Sequence, residues 1–290
     1  MDQKYSIGFI GIGVMGESMA GHLLKSGLQV SVYTRTKSKA ERLLEAGAAW
    51  ADSPRRIAET SNVIISIVGY PHDVEEIYLG QEGIVTHAEK GTFLIDMTTS
   101  KPELAVRIYE EAKKRGLRSI DAPVSGGDIG AQNASLTIMA GGDEEDFQAV
   151  EPILALMGSN VQYQGKAGAG QHTKMSNQIA IASNMIGVCE AVVYAQKAGL
   201  NPENVLKSIS FGAAGSWSLS NLAPRMISGD FKPGFYIKHF IKDMKIALEE
   251  SERMELALPG LKLARSLYES LAAAGEAESG TQALYKYWEL

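Results

Sequence analysis

Cysteine is nearly absent: Cys189 is the single one in 290 residues, which excludes an internal disulfide. It lies inside an apolar stretch (GVCEAVV), where a lone thiol acts as a small core residue. The five histidines fall into no Cys/His grouping with metal-ligand spacing, so no metal site is expected. Basic residues are in deficit, 28 against 34 acidic ones for a formal charge of −6. Phosphate contacts need net basic surface, so the balance excludes a general nucleic-acid binder. The opening MDQKYSIGFIGIG has no basic segment backed by a long apolar run, so no signal peptide is expected. The one long apolar stretch is interrupted by Asn184 and Glu190, which argues against a membrane span. Low-complexity segments and internal repeats are also missing. A cytoplasmic protein is the expectation.

What is present is a chain long enough for two domains, with 45% hydrophobic and 21% charged residues, ample for a sizeable core. The stretch 168–199 holds no proline and is bracketed by glycines. Residues 171–197 predict one unbroken helix of about 40 Å, stopped by Gly199 and Pro202. Beyond its first turns it is apolar nearly all round (Ile179, Ile181, Met185, Ile186, Val188, Val192, Val193), so it needs cover on every side, from helices, a second domain or a second subunit. Lys174, Asn177 and Gln178 stand at i, i+3 and i+4 and project from one face. They suit a working site; on this helix alone, a solvated first turn accounts for them as well.

Before this helix, strands and helices alternate, which predicts an α/β doubly wound Rossmann-type sheet over residues 1–165. Residues 5–10 form a β-rich run, then GIGVMG (Gly11, Ile12, Gly13, Val14, Met15, Gly16), then a helical pattern closed by Gly27. In strand–turn–helix context these glycines serve a tight turn, close approach of a pyrophosphate and close helix–strand packing. The helix N-terminus offers its free N–H groups to the phosphates. A second strand, 29–33, ends at Thr34-Arg35-Thr36, with no acid where one would bind the ribose hydroxyls of NAD. A guanidinium and hydroxyls suit the 2′-phosphate of NADP, so NADP is the preferred cofactor and NAD a possible one.

Further strands are predicted at 63–68, 92–96, 118–121, 136–140 and 160–164, with helices over 72–79, 102–115 and 144–157. Ligands of such sheets bind at the carboxyl ends of the strands, which nominates Val68, Gly69 and Thr99 as cofactor neighbours. Ser125-Gly126-Gly127 exposes consecutive N–H groups fit for a carboxylate, or is simply a flexible loop. After 199 no strand is expected. Helices over 201–211, 219–227, 240–254, 259–273 and 281–287 make an all-α second domain, residues 166–290, opened by the long helix (about 170–198). The GKAGAG stretch at 165–170 predicts the hinge, with Lys174 just beyond it.

Together these residues resemble the β-hydroxyacid dehydrogenase family, through GFIGIGVMGESMAGHLLKSG at the start, IDMTTSKPE near 95, DAPVSGG at 121–127, GQHTKMSNQ at 170–178 and FIKDMKIAL at 240–248. The resemblance covers essentially the whole chain. It implies Lys174 as catalytic acid/base, Ser125, Gly126 and Gly127 on the substrate carboxylate, and Asn177 orienting the substrate. Thr99 and Lys242 would lie against the nicotinamide half of the cofactor, with Phe235 and Asp243 closing the pocket. It further implies a homodimer or homotetramer through the helical domain and a small carboxylate as substrate; from the charge balance and the interrupted apolar stretch, neither nucleic acid nor membrane is expected as partner. Two departures stand out: Asn177-Gln178 where many members have two asparagines, and Val68-Gly69-Tyr70-Pro71 where many have a Met-Leu-Pro run. Chemically, hydride leaves the carbinol carbon as its hydroxyl loses a proton, so a base must stand within about 3 Å of that oxygen. In reverse, a cation there stabilises the developing alkoxide. A lysine does both if burial or a second cation, for which Lys242 is the candidate, lowers its affinity for the proton. The alternatives are an imine reductase-like enzyme, a group that generally lacks this lysine, and a non-catalytic dinucleotide-binding module of the same fold.

Overall fold

The computed structural model describes residues 5–288. The chain divides into two compact units, one ending at Lys174 and the other beginning at Met175.

Among the described residues of the first unit, nine strands form one sheet: β1 (Ser6–Ile10), β2 (Gln29–Tyr33), β3 (Ala49–Trp50), β4 (Val63–Ser66), β5 (Phe93–Asp96), β6 (Arg118–Asp121), β7 (Val124–Ser125), β8 (Thr137–Gly141) and β9 (Asn160–Gly165). Their order is β3-β2-β1-β4-β5-β6-β8-β7, with β9 pairing β8. From β3 to β6 every pairing is parallel, and β1 stands in register with β4 through Phe9 and Ile65. Strand alternation sends side chains to opposite faces. Ile7, Phe9, Ile65 and Ile95 join one buried cluster with Met19 and Leu23 of helix Val14–Lys25 and Phe147 and Val150 of helix Glu144–Leu154. Ile10, Ile64 and Leu94 join a second cluster with Val74 and Tyr78 of helix Pro71–Leu79 and Leu104 and Ile108 of helix Pro102–Lys114. Helices therefore cover both faces, the doubly wound α/β arrangement read from the sequence.

The sheet departs from pure parallel order at its far end, where β8 runs antiparallel to β6 and β7. Helix Pro54–Thr60 and the two-residue strands β3 and β7 lack a periodic pattern long enough to announce them. In Ser125-Gly126-Gly127, Ser125 is paired in β7 and Gly127 opens helix Gly127–Gln132.

The second unit contains no strand among its described residues beyond an isolated bridge between Tyr236 and Gly280. The long helix, Ala169–Lys197, is one continuous run of 29 residues, so its length is about 43 Å at 1.5 Å per residue. By length and composition it would suffice to cross a membrane. One stripe of it, Ala182, Met185, Val188, Cys189 and Val192, is buried in a cluster with Met226, Phe240, Met244 and Tyr268. The opposite face, with Ala180, Ser183, Gly187 and Tyr194, is exposed, so the described residues do not supply cover on every side. Helices Pro202–Ile209, Ile237–Arg253 and Pro259–Leu271 follow. The helix expected over 219–227 is two short ones, Trp217–Asn221 and Ala223–Ile227, because Pro224 lacks the N–H needed to continue the ladder.

Candidate active site

The glycine turn at the end of β1 is shaped by two steric facts. Gly11 has φ +100, and a Cβ there would fall 2.0 Å from the Ile67 carbonyl oxygen; a Cβ on Gly16 would fall 2.0 Å from the Gly11 carbonyl oxygen. Helix Val14–Lys25 can approach β1 this closely only with glycine at both positions. Gly13 differs: a Cβ there would meet nothing within 4 Å, so the protein's own packing does not call for a glycine. It is the N-cap of Val14–Lys25 and provides no side-chain cap, which leaves first-turn N–H groups for an outside acceptor. Ile12 is buried while Val14 is exposed. An unfilled cradle at Gly13 ahead of an uncapped helix start fits a dinucleotide pyrophosphate.

Thr34, Arg35 and Thr36 follow β2, as the sequence places them. The exposed Arg35 guanidinium donates through Nη1 to Asp73 Oδ1 at 3.1 Å. Asp73 is buried and also accepts the Tyr70 N–H through Oδ2, capping helix Pro71–Leu79. Tyr70 stacks on His72 with ring centroids 5.4 Å apart. Sequence reasoning missed this acid, because it sits 38 residues from the arginine it holds.

The carboxyl ends of β4, β5 and β6 meet the start of the long helix in a connected set of hydrogen bonds. Val68 N–H donates to Thr98 Oγ1 (3.0 Å), Thr98 N–H donates to Asp96 Oδ1 (3.0 Å), and Gln171 Nε2 donates to the Thr98 carbonyl (2.7 Å). Ser66 Oγ also donates to Asp96 Oδ1 (2.9 Å) and lies 2.8 Å from Tyr78 Oη, which therefore donates to Ser66. Burial, then the nearby Asp96 charge, pushes the Tyr78 hydroxyl well above its ordinary value and keeps it a donor. Asp121, at the end of β6, accepts the N–H groups of Gly168 (2.7 Å) and Gln171 (2.8 Å) and so caps the long helix from across the fold. Burial raises the Asp121 carboxyl to about 7, against the two N–H donors that favour its ionised form. Thr99 lies in the segment thus held, and Lys174, 6% exposed, stands one turn beyond Gln171. At the antiparallel end of the sheet, Gly126 (φ +132) and Gly127 (φ +62) hold a backbone only glycine adopts without strain.

Within the second unit a polar chain runs from the half-buried Asn177 to the buried Gln178 and Asp243. Asn177 Nδ2 donates to Gln178 Oε1 (2.8 Å), and Gln178 Nε2 donates to Asp243 Oδ2 (2.6 Å). Asp243 Oδ1 lies 3.0 Å from Lys242 Nζ, an ion pair without hydrogen-bond alignment. The partner of the glutamine that departs from the family pattern is therefore Asp243. Pairing also offsets much of the repulsion Lys242 can exert on a second cation. Phe235 packs against Phe240 with centroids 5.7 Å apart.

Comparison with known proteins covers the same ground. The family model of the NAD binding domain of 6-phosphogluconate dehydrogenase matches residues 6–165, and that described as NAD-binding of NADP-dependent 3-hydroxyisobutyrate dehydrogenase matches residues 168–288. An uncharacterized oxidoreductase of Bacillus subtilis (strain 168), YkwC, is 65% identical over 98% of this chain and 99% of its own length. A probable 3-hydroxyisobutyrate dehydrogenase-like protein 1, mitochondrial, of Arabidopsis thaliana is 52% identical over 96% of this chain and 83% of its own. Among solved structures, a Mycobacterium tuberculosis 3-hydroxyisobutyrate dehydrogenase described with L-serine superposes with a TM-score of 0.91 at 28% identity, covering 99% of each chain.

Proposed function

The chain belongs to the β-hydroxyacid dehydrogenase family, and from that premise we propose that it is an NADP-preferring oxidoreductase of small β-hydroxy acids or their semialdehydes, with Lys174 as general acid/base. The observation that carries the reading is a buried lysine one turn into a helix whose start is hydrogen-bonded to the carboxyl ends of β5 and β6, the side of such a sheet where ligands bind. The nicotinamide, when bound, supplies or accepts the hydride. Lys174 Nζ takes the hydroxyl proton in oxidation and returns it to the carbonyl oxygen in reduction. Its positive charge stabilises the oxygen as that oxygen becomes an alkoxide. Ser125 Oγ and the N–H groups of Gly126 and Gly127 hold the substrate carboxylate, and the Asn177 amide orients the reacting carbon. Gly13 and the first-turn N–H groups behind it receive the pyrophosphate, Gly11 and Gly16 making room for the turn, and Thr99 and Lys242 flank the nicotinamide half.

The preference for NADP rests on Arg35. One of its five N–H donors is engaged by Asp73, which holds the guanidinium at the end of β2 and leaves other donors for a 2′-phosphate. Two copies of the chain are proposed to associate through the exposed face of the long helix, and sedimentation velocity measures this.

The test is an initial-rate panel with glyoxylate, succinic semialdehyde, tartronate semialdehyde and 3-hydroxyisobutyrate, each with both nicotinamide cofactors, repeated with Lys174→Ala. The variant is expected to bind NADPH as the parent does and to turn over at least about 10²-fold more slowly. Parental turnover in Lys174→Ala removes the lysine from the mechanism, and cofactor binding without turnover of any semialdehyde favours the non-catalytic dinucleotide module.

A further inference from the structure

Gln171 has no exposed surface, and its polar groups are committed in three directions. Its main-chain N–H donates to Asp121 Oδ2 (2.8 Å), its Nε2 donates to the Thr98 carbonyl (2.7 Å), and its Oε1 accepts the Ser100 N–H (2.9 Å). The side-chain amide thus reads the carbonyl before Thr99 and the N–H after it, pairing with the segment 98–100 as a neighbouring strand would. Two further bonds hold the same segment from the sheet side, Thr98 N–H to Asp96 and Val68 N–H to Thr98 Oγ1. Thr99 is therefore presented by a piece of chain gripped on both sides. The residue that grips it from the helix side lies three positions ahead of Lys174, on the same helical face.

We propose that Gln171 is a positioning residue that sets Lys174 and Thr99 in one frame, fixing where the proton is exchanged relative to the segment that flanks the cofactor. The chemistry of the side chain is specific. Only a residue with one donor and one acceptor at that reach answers both the Thr98 carbonyl and the Ser100 N–H. Methionine, close in length, offers no donor to the carbonyl, and leucine offers neither group. The helix start would still be held by Asp121 in either variant, because that bond uses the main chain. The change would therefore loosen the register between the helix and the segment 98–100 without dismantling the helix. Misplacement of a reacting group by about an ångström costs up to 10²-fold in rate. The inference rests on the assignment of Lys174 as acid/base, and its test separates the two.

Gln171→Met and Gln171→Leu are measured alone and combined with Lys174→Ala, with enzyme in excess so that slow single turnovers are read, and NADPH affinity is followed by fluorescence. The expected result is a kcat lowered about 10- to 100-fold, with substrate KM and NADPH Kd within about threefold of the parent. That loss is expected to vanish in the Lys174→Ala background, since a residue acting through the lysine has nothing left to position. If Gln171→Leu does not fold, Gln171→Met, unbranched and close in length, carries the same cycle. An unchanged kcat, a KM that rises in step with the fall in kcat, or an equal loss in both backgrounds overturns the positioning role. Parental turnover in Lys174→Ala alone instead overturns the lysine's assignment, and the positioning role falls with it.

Discussion

Asp121→Asn tests whether burial or hydrogen bonding governs the carboxylate that caps the long helix. In the folded chain burial raises this group from 3.8 to about 7. An acid whose folded value is raised stabilises the fold fully below its unfolded value, and that stabilisation is lost as pH rises through the folded value. The window here runs from about pH 4 to pH 7. A rise of roughly three units corresponds to about 4 kcal/mol across the whole window at 1.36 kcal/mol per unit, an upper figure for a group this buried. Between pH 5 and pH 8 the linkage relation gives roughly 2 to 3 kcal/mol. Asparagine cannot ionise, so the difference in melting temperature between parent and variant removes the titration of every other group and leaves that of Asp121. For a unit of this size, at about 2–4 °C per kcal/mol, the parent is expected to lose roughly 4–12 °C relative to Asp121→Asn on going from pH 5 to pH 8. Differential scanning calorimetry at matched ionic strength reads it. A difference between the two proteins that stays constant over that range refutes the reasoning. A difference that moves the other way shows that the Gly168 and Gln171 N–H groups outweigh burial and hold the carboxylate ionised.

Other outcomes follow from the same geometry. Arg35→Asp removes the guanidinium and sets a negative charge where the 2′-phosphate would lie, so the ratio of kcat/KM for NADPH over NADH is expected to fall by at least about 10-fold; an unchanged ratio defeats the phosphate argument. The glycine turn gives a paired test. Gly13→Ala is expected to hold stability within about 1 kcal/mol while weakening NADPH binding, whereas Gly16→Ala, driven against the Gly11 carbonyl, is expected to lose stability before any binding is measured. Thermal melts and NADPH fluorescence titrations of both decide it. Cys189 is fully buried and burial pushes its thiol up, so an aromatic disulfide reagent is expected to label it only after denaturant is added; stoichiometric labelling of the native chain contradicts the placement.

The parts of this molecule legible in its sequence are those carried by local pattern. The glycine turn, the apolar runs of β4 and β5 and the long proline-free helix each announce themselves within a few neighbouring residues. What could not be read depends on chain brought together from afar. Asp121 meets Gln171 across 50 positions, and Gln171 meets Thr98 across 73, so a glutamine and an aspartate that look like ordinary polar residues become the joints of the framework. The same holds for Gln178 and Asp243, 65 residues apart. Two-residue strands such as β3 and β7 exist because a neighbour offers hydrogen bonds, not because their own residues alternate. One available signal went unused: Gln171 falls at i−3 from Lys174, on the face already singled out, and a glutamine on a face bound for burial needs both a donor and an acceptor.

The margins of the sheet carry a consequence for how this protein behaves in a crowded solution. On one border β3 offers a newcomer only Ala49 and Trp50, too short a template for another chain to zip onto. On the other, β9 reads NVQYQG, six residues with no charge and no proline, where Gln162 Nε2 donates to Asn160 Oδ1 and Gln164 Nε2 to the Gln162 main-chain carbonyl. Backbone pairing with another chain is thereby discouraged at the β3 border, and the β9 border is the one a further strand would find open.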